Sequence, residues 1–302
     1  MNMSIFQKFH KWFVRREYSI GFLDKKHLNL SDKERFKKIK WVDLCGYSHG
    51  WFADPFIFSV SDKYVEVLAE EYEYQNCKGR LVCLTISRND NKLISVNEIL
   101  SLETHLSFPI FIYDNGKYYV YPENYESGVF TIYEFDLDTK KLINPHIVIN
   151  EPLVDTQIIK LGEKYYAFGV IKTAHGHEDT KELSIYESDV LFGKYKLIQT
   201  IKNERKEERG AGMFYYKDGM LIRPAQSCEI DYGRELVFYE VNKNNGCFTE
   251  KEVLRMKPDL SDFHHGRGLH TFNEMNGIVV FDGFGFTNWR INGIIRKLLR
   301  QP

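Results

Sequence analysis

Hydrophobic and polar residues alternate with a period of two between about residue 46 and residue 286, which is typical of β-strands whose faces have different surroundings. An apolar strand, a turn, an aromatic strand and a third alternating strand form a unit that recurs at roughly 46 to 58 residues. Five units begin near Phe52, Phe108, Thr156, Gly212 and Leu269. This spacing is typical of the blades of a β-propeller.

The repeat predicts an all-β fold, a five-bladed β-propeller over residues 17–288. Radial stacking covers both apolar faces of each small sheet and leaves only short edges exposed. Turns such as Asn115-Gly116 and Asp218-Gly219 separate the strands. The fifth unit lacks an outer strand, and we expect residues 17–23 to supply it and close the ring. Two separate β-sandwiches are the alternative, but they would not require a five-fold repeat.

Composition excludes several classes of protein. The chain has 302 residues, of which 15% are aromatic, so it is not disordered, and its net charge of −1 disfavours nucleic acid as a partner. No apolar run approaches the roughly 18 residues that span a membrane. The five cysteines lack zinc spacing, so we expect free thiols in a reducing compartment, and we predict no cofactor and no metal.

The two ends of the chain differ from the middle. Residues 1–16 form an aromatic and basic segment without the features of a secretory signal, and residues 289–302 alternate apolar pairs with cations at helical spacing. We predict short amphipathic helical extensions on a cytoplasmic protein. They can lie on an anionic membrane surface, which would place the protein at the inner membrane face, or pack against the domain.

The first polar residues of each innermost strand are expected to point into one central cavity. We assign catalytic roles there to Asp54, Asp155 and Glu123. The remaining polar and aromatic residues near this cavity are predicted to bind substrate: Trp51, Glu71, Ser107, Arg209, Arg223, Gln226, Tyr232, His265 and His270. Unpaired buried charges are too unfavourable for all of these residues to be core filler.

The chemistry of these residues indicates sugar substrates. Facing carboxylates can protonate a leaving oxygen and activate a nucleophile, as glycosyl transfer requires, and arginine with histidine suits a phosphate or an anionic sugar. Asp-Pro is also an ordinary turn signal, and Asp218 is expected only to form a turn. The histidine pair 175 and 177 has too few ligands for a metal, whereas His264, His265 and His270 could hold a cation.

Two families resemble this pattern. Asp54-Pro55 in the first blade resembles the catalytic-base motif of the five-bladed furanosidases, the arabinanase, xylosidase and invertase-type glycoside hydrolases. The resemblance implies that Asp54 is the base or nucleophile and that Asp155 occupies the place of the general acid. The sequence departs from the furanosidases at Ser107, where they have an orienting acid, and at Asp155, where they have Glu.

The closer resemblance is to the N-terminal domain of plant glucosamine inositolphosphorylceramide transferases and its bacterial relatives. It covers most of the chain and depends on the order of several short motifs: Ala53-Asp-Pro-Phe, Ser107-Phe-Pro, Arg209-Gly-Ala-Gly, Arg223-Pro-Ala-Gln, Tyr232-Gly and Gly268-Leu-His-Thr. The resemblance implies sugar-active chemistry in the assembly of surface polysaccharide or glycolipid.

Three functions follow as hypotheses. The first is a glycosyltransferase that moves a sugar from a phosphate-activated donor to a glycan or lipid-linked acceptor, with Asp54 as base and Arg209, Arg223 and His270 at the donor phosphate. The second is a glycoside hydrolase of the furanosidase type that uses Asp54 and Asp155. The third is a non-catalytic sugar-binding propeller that serves a partner enzyme.

Overall fold

The computed structural model describes residues 15–172, 179–202, 207–229 and 231–287. Within these ranges the chain forms five four-stranded antiparallel sheets arranged as the blades of a β-propeller, which confirms the predicted fold. The predicted extensions, residues 1–16 and 289–302, fall almost entirely outside the described residues, except that Arg15 and Arg16 belong to the first strand. No helix in the described ranges is long and apolar enough to cross a membrane.

The described elements follow the predicted repeat closely. The described part of the chain starts with β1 (Arg15–Asp24), a 3-10 turn (Lys25–His27), helix α1 (Asp32–Lys38) and β2 (Lys40–Trp41). Blade 1 contains β3 (Gly50–Val60), β4 (Tyr64–Glu73), β5 (Lys78–Ser87) and β6 (Leu93–Leu100). Blade 2 contains β7 (Ser107–Asp114), β8 (Lys117–Glu123), a 3-10 turn (Tyr125–Ser127), β9 (Phe130–Asp136) and β10 (Lys141–Ile149).

The remaining blades complete the ring. Blade 3 contains β11 (Leu153–Leu161), β12 (Lys164–Lys172), β13 (Asp179–Ser188) and β14 (Lys196–Lys202). Blade 4 contains β15 (Tyr215–Lys217), β16 (Met220–Ser227), β17 (Glu235–Asn244) and β18 (Cys247–Met256). Blade 5 combines β19 (Gly268–Met275) and β20 (Ile278–Thr287) with the N-terminal strands, in the order β19-β20-β1-β2.

The N-terminal strand closes the ring, as the sequence predicts. Strand β1 pairs antiparallel with β20 along its whole length, from Arg15 opposite Thr287 to Asp24 opposite Ile278. Val279 and Phe281 of β20 are completely buried. The fifth sheet is therefore made from both ends of the described chain.

Aromatic side chains fill the spaces between adjacent blades. Phe56 of blade 1 meets Phe108 of blade 2 edge to face, with ring centroids 5.0 Å apart. Phe238 of blade 4 meets Phe272 of blade 5 in the same way at 4.9 Å. Edge-to-face pairs add to the stabilisation from burying apolar area. The high aromatic content is thus used to pack sheet against sheet.

Four innermost strands carry a β-bulge at the same place. The pairing register shifts after Ala53 in β3, after Ser107 in β7, after Val154 in β11 and after Leu269 in β19. A bulge bends a strand and redirects a side chain. At three of the four bulges a residue other than glycine adopts a left-handed conformation: Asp54 (φ 50°), Phe108 (φ 49°) and Asp155 (φ 43°). Such strain concentrates at functional sites.

Blade 4 departs from the predicted pattern. The sequence predicts an innermost strand that starts at Gly212, but β15 spans only Tyr215–Lys217. The backbone at Gly212 lies directly against blade 5, and a Cβ atom there would overlap the carbonyl oxygen of Phe272. Ala211 accepts a hydrogen bond from the Phe272 N–H at 2.7 Å. This segment therefore pairs with the neighbouring blade. Before β15 it contacts its own sheet through a single bridge, Gly210–Ala225.

Candidate functional site

A polar cavity of about 440 Å³ lies where the bulged ends of the innermost strands converge. Its wall combines aromatic rings with acidic and basic side chains. The aromatic and histidine residues are Tyr18, Trp51, Tyr72, Tyr125, Tyr232, His105 and His270. The charged residues are Asp54, Glu70, Glu103, Glu123, Glu126, Lys78, Lys172 and Arg209. We refer to this space as the funnel.

One side of the funnel is formed by a histidine between two aspartates, which we call the His270 cluster (Asp54, His270 and Asp282). The Nδ1 atom of His270 lies 2.6 Å from Asp282 Oδ2, and its Nε2 atom lies 3.4 Å from Asp54 Oδ1. Burial disfavours the charged imidazolium, but the two carboxylates outweigh this effect and raise the pKa of His270 to about 9. His270 is therefore a cation at neutral pH.

Asp54 is the carboxyl group of this cluster that lines the cavity. Its Oδ2 atom accepts the Phe108 N–H at 3.0 Å, and its Oδ1 atom accepts the Thr271 hydroxyl at 2.9 Å. Burial raises the pKa of Asp54 to about 6; His270 lowers it, and Asp282 and Asp155 raise it further. A carboxyl group with this pKa can take up and release a proton near neutral pH.

The opposite side is formed by the Arg209 cluster (Arg209, Asp155 and Glu123). The guanidinium donates from Nε to Asp155 Oδ2 at 2.6 Å and from Nη2 to Glu123 Oε2 at 3.1 Å. Gln226 Nε2 also donates to Asp155 Oδ2, at 2.8 Å. Burial raises the pKa of Asp155 to about 8, since the lowering by Arg209 is opposed by Glu123.

Stacked aromatic rings form the wall between the two clusters. Trp51 lies parallel to Tyr72, with centroids 4.9 Å apart and an interplanar angle of 4°. Tyr18, contributed by the N-terminal strand, lies 4.9 Å from the Trp51 ring and the same distance from the His270 ring. On the other side the Arg209 guanidinium lies over the Tyr232 ring at 4.9 Å. These rings present flat apolar surfaces next to carboxylates.

The structure brings together most of the residues that the sequence predicts for the site. Six residues line the funnel together with Asp54: Trp51, Ser107, Glu123, Arg209, Tyr232 and His270. Asp155 and Gln226 are buried directly behind them and bond to each other. Asp54 and Asp155 occupy equivalent bulges, as their positions in the repeat predict.

Three predicted residues lie elsewhere, and for each a different partner explains the placement. Glu71 faces away from the funnel because it follows Glu70 on a β-strand, and its Oε2 accepts Arg80 Nε at 2.9 Å. Arg223 is completely buried and pairs with Glu250, with Nη2 3.0 Å from Oε2. His265 stacks on Trp41, with centroids 4.3 Å apart.

Several residues of the site were not predicted from the sequence pattern. Asp282 is completely buried in β20 and accepts the backbone N–H groups of Asp54 (2.9 Å) and Thr271 (2.7 Å). The available signal was a lone acid in an otherwise apolar strand. Tyr18, Tyr72 and His105 carried no comparable signal, because their position depends on the packing of distant segments.

Among the described residues, the His270 cluster is the one group whose spacing could suit a metal ion. In the described part of the chain, Asp54, His270 and Asp282 are the one set of three such side chains whose ligand atoms lie within 4.8 Å of one another. The protonated imidazole already pairs with both carboxylates, at 2.6 Å from Asp282 and 3.4 Å from Asp54, and compensates part of their charge. We therefore describe these residues as a hydrogen-bonded ion cluster and assign no metal to them.

The fold and the funnel define a five-bladed β-propeller with a buried, acid-rich central site. Residues 39–271 match the family described as "Glucosamine inositolphosphorylceramide transferase 1, N-terminal", and the chain belongs to this family. This confirms the resemblance inferred from the short motifs.

Individual relatives agree with this assignment. Glucosamine inositolphosphorylceramide transferase 1 of Oryza sativa subsp. japonica is 23% identical over 235 residues, which cover 76% of this chain and 31% of the rice protein. The Arabidopsis thaliana protein of the same name is 30% identical over 139 residues, 44% of this chain and 18% of that protein. The chain thus spans less than a third of the length of the curated relatives it matches.

The fold is also shared with solved structures. The α-L-arabinofuranosidase of Podospora anserina, solved in complex with cellotriose, superimposes with a TM-score of 0.56 at 12% identity, covering 80% of this chain and 92% of that one. At this level of identity the similarity shows a common architecture.

Proposed function

We propose that this propeller is a carbohydrate-active enzyme that transfers a sugar from a phosphate-activated donor to a glycan or lipid-linked acceptor. Its membership of a family whose curated relatives are named as transferases supports this proposal. Because the chain covers only part of those relatives, their activity is extended to it here as a hypothesis. The observation that carries the proposal is Asp54, a buried carboxylate on a strained bulge that opens into the funnel.

Asp54 is suited to act as a general base. In the proposed step the acceptor oxygen bonds to the anomeric carbon, the bond from that carbon to the donor oxygen breaks, and the acceptor proton passes to Asp54. His270 holds Asp54 in place and stabilises its charged form. A base with a pKa of about 6 is largely ionised at neutral pH and still accepts a proton readily.

The wall of the funnel favours the sugar part of the ligand. Carboxylates accept hydrogen bonds from hydroxyl groups, and the face of Trp51 can stack on a pyranose or furanose ring. The funnel offers fewer available cations for a donor phosphate. Arg209 and His270 each pair with two carboxylates, and Arg223 pairs with Glu250 outside the cavity. We therefore assign the funnel to the acceptor, the transferred sugar and the oxygen atom that joins this sugar to the donor phosphate.

We extend the proposal to the location of the protein. A lipid-linked acceptor would place the chain at the cytoplasmic face of the membrane, with the basic segments at residues 1–16 and 289–302 against anionic lipid. Sedimentation of the full chain with anionic vesicles tests this. Retention by anionic vesicles but not by neutral ones is the expected result, and equal recovery in both supernatants would contradict it.

The test of the catalytic role is the substitution Asp54→Asn. Asp218→Asn is a matched control because Asp218 is exposed in a turn and has almost the same φ (51° against 50°), a conformation that Asn tolerates. Both variants and the wild type would be incubated with a panel of nucleotide-activated sugars and glycan or glycolipid acceptors. We expect Asp54→Asn to lose on the order of 10²–10⁴-fold in rate and Asp218→Asn to keep full activity.

Two outcomes would count against the transferase. Product formation by Asp54→Asn at the wild-type rate would show that Asp54 is not the catalytic base. If the wild type formed no product from any donor, the proposed transferase reaction itself would be contradicted.

A hydrolase is the second candidate, and the equivalent placement of Asp54 and Asp155 favours it. Both sit on left-handed bulges, both have raised pKa values, and the fold is shared with an arabinofuranosidase. Release of the dye from a chromogenic pentofuranoside by the wild type, lost in both Asp→Asn variants, would support it.

A sugar that binds equally to the wild type and to Asp54→Asn, without turnover, would instead indicate the non-catalytic binder.

A further inference from the structure

Two glutamates occupy the same position in neighbouring blades. Glu70 on β4 lies opposite Ala53, and Glu123 on β8 lies opposite Ser107; in each case the partner immediately precedes the bulge. Both side chains are 7% exposed and both line the funnel. The equivalent positions in blades 3 and 5 are apolar residues or glycine, so the funnel has one matched pair of glutamates.

The two glutamates differ in their partners. Glu123 receives a hydrogen bond from Arg209, whereas Glu70 Oε1 is buried and receives no hydrogen bond from the described residues. The Nε2 atom of His105 lies 3.4 Å from this oxygen. Its Nδ1 atom accepts the Gly79 N–H at 2.9 Å, and burial lowers the pKa of the ring, so His105 is neutral. Within the described part of the chain, Glu70 therefore has no cationic partner.

The groups that face Glu70 from the surrounding strands are mainly acidic. Burial raises the pKa of Glu70 well above its usual value, and four carboxyl groups raise it further: Asp54 of β3, Glu123 of β8, Asp282 of β20 and Asp155 of β11. The cations of the funnel are held by other groups, since Arg209 and His270 belong to the two clusters and Lys78 bonds to the Leu102 carbonyl. Lys172 lies over the Tyr125 ring at 5.2 Å.

Charge balance favours protonation of more than one of these carboxyl groups, and burial raises the pKa of Asp155 to about 8. Five buried carboxyl groups face two cations, the buried His270 and the partly buried Arg209, and ionising all five would leave three negative charges without compensation. Each uncompensated buried charge is unfavourable by several kcal/mol. Among the described residues, no cation pairs with Glu70 and no donor forms a hydrogen bond to its Oε1 atom, so nothing there stabilises its anion. Glu70 is therefore the group for which protonation is most favourable.

We propose that Glu70 is the proton donor of the funnel: it stands as a neutral carboxylic acid and donates its O–H to an oxygen atom of the bound sugar. The identity of the ligand rests on the proposed function. In the reaction, the bond from the anomeric carbon to the leaving oxygen breaks, and that oxygen keeps the electron pair and takes the proton of Glu70. The acceptor hydroxyl forms the new bond and gives its proton to Asp54. Exchange with water then restores both groups.

The protonation state can be tested without any turnover. Glu70→Gln keeps the size and the hydrogen-bond donor of the neutral acid, and Glu123→Gln at the matched position removes a paired carboxylate. In infrared difference spectra of the full chain at about pH 7, we expect the carbonyl absorption of protonated carboxyl groups to fall by the contribution of one group in Glu70→Gln and to be retained in Glu123→Gln, with Asp155 contributing equally in both variants. A band that is unchanged in Glu70→Gln would overturn the proposal.

Stability gives a second, independent measurement. A glutamate whose folded pKa is raised lowers the stability progressively as pH rises above its unfolded pKa of about 4.3, because the unfolded state can release the proton more easily. We expect Glu70→Gln to raise the midpoint of thermal unfolding by several degrees at about pH 8, with a smaller rise at about pH 5. Glu123→Gln should lower it at both values. A lower midpoint for Glu70→Gln at about pH 8 would refute the neutral acid.

Turnover separates this proposal from the proposed function. If a donor and an acceptor react, Glu70→Gln should reduce kcat on the order of 10²-fold with little change in KM, since Gln still donates a hydrogen bond. An unchanged kcat would overturn the role in proton transfer. If the wild type turns over no substrate, the transferase fails, and the infrared and stability results decide the state of Glu70 by themselves.

Discussion

The two ion clusters of the funnel have the same composition of charges and different chemistry. Each places one cation between two carboxylates, His270 between Asp54 and Asp282 and Arg209 between Asp155 and Glu123. The His270 cluster joins blades 1 and 5, and the Arg209 cluster joins blades 2, 3 and 4. Together they link all five blades around the central axis.

The difference lies in the cation. Guanidinium does not lose its proton in proteins, so the cation of the Arg209 cluster stays charged at every working pH. Imidazolium with a pKa of about 9 and Asp54 with a pKa of about 6 can both exchange protons in solution conditions that leave the fold intact. Under the proposed function, the Arg209 cluster would set the geometry and the His270 cluster would supply the reactive group.

The largest effect is expected from Arg209→Met. This change leaves Asp155 and Glu123 buried without their cation, which destabilises a protein by about 3–5 kcal/mol. Arg88→Met is the control, because Arg88 is exposed and donates to a single backbone carbonyl at 2.6 Å. Denaturant unfolding at neutral pH measures both. A loss as small as that of the control would show that the cluster does not hold the blades together.

His270→Gln should have a smaller effect that depends on pH. The folded pKa of about 9 exceeds the ordinary value of about 6.5, so the imidazolium contributes its full stability below about pH 6.5 and loses it as pH rises through about 9. We expect a loss of about 2 kcal/mol at neutral pH that shrinks towards about pH 10, whereas the loss from Arg209→Met persists there.

The control for this prediction is His146→Gln, because His146 is exposed and contacts Phe192 only at the surface. Unfolding curves across the pH range provide the measurement. If the losses from His270→Gln and Arg209→Met kept a constant ratio up to about pH 10, the two clusters would not differ in the way described here.

The smallest effect is expected from Arg209→Lys. The positive charge remains, but a lysine cannot donate to Asp155 and Glu123 through a planar fork. We expect a loss of about 1 kcal/mol, the value of a single hydrogen bond, measured by the same unfolding curves. A loss equal to that from Arg209→Met would mean that geometry, and not charge, is what the cluster requires.

The fold could be predicted because its signals are local. The alternation along each strand and turns such as Asn115-Gly116 are encoded in short stretches of sequence. The closing strand could be predicted because the fifth unit lacked an outer strand and the segment at residues 17–23 could supply it. Blade 4 was predicted less well, because the path of residues 211–214 depends on close contact with Phe272 of the next blade.

The site could be predicted only in part. Repetition identified Asp54 and Asp155, since equivalent positions in a repeat meet at the same place. It placed Glu71 in the cavity where Glu70 lies, because a shift of one residue reverses the face of a strand. Nor could it show that Arg223 finds Glu250, which is 27 residues away on another strand.

Closure of the ring by β1 has a consequence for synthesis on the ribosome. The pair Arg15–Thr287 cannot form until almost all of the described chain has been made. At about 5–20 residues per second, β1 waits on the order of tens of seconds with an unpaired edge. The wall residue Tyr18 belongs to that strand, so the funnel is completed only when the last blade arrives, and the nascent chain must be kept from pairing with other edges until then.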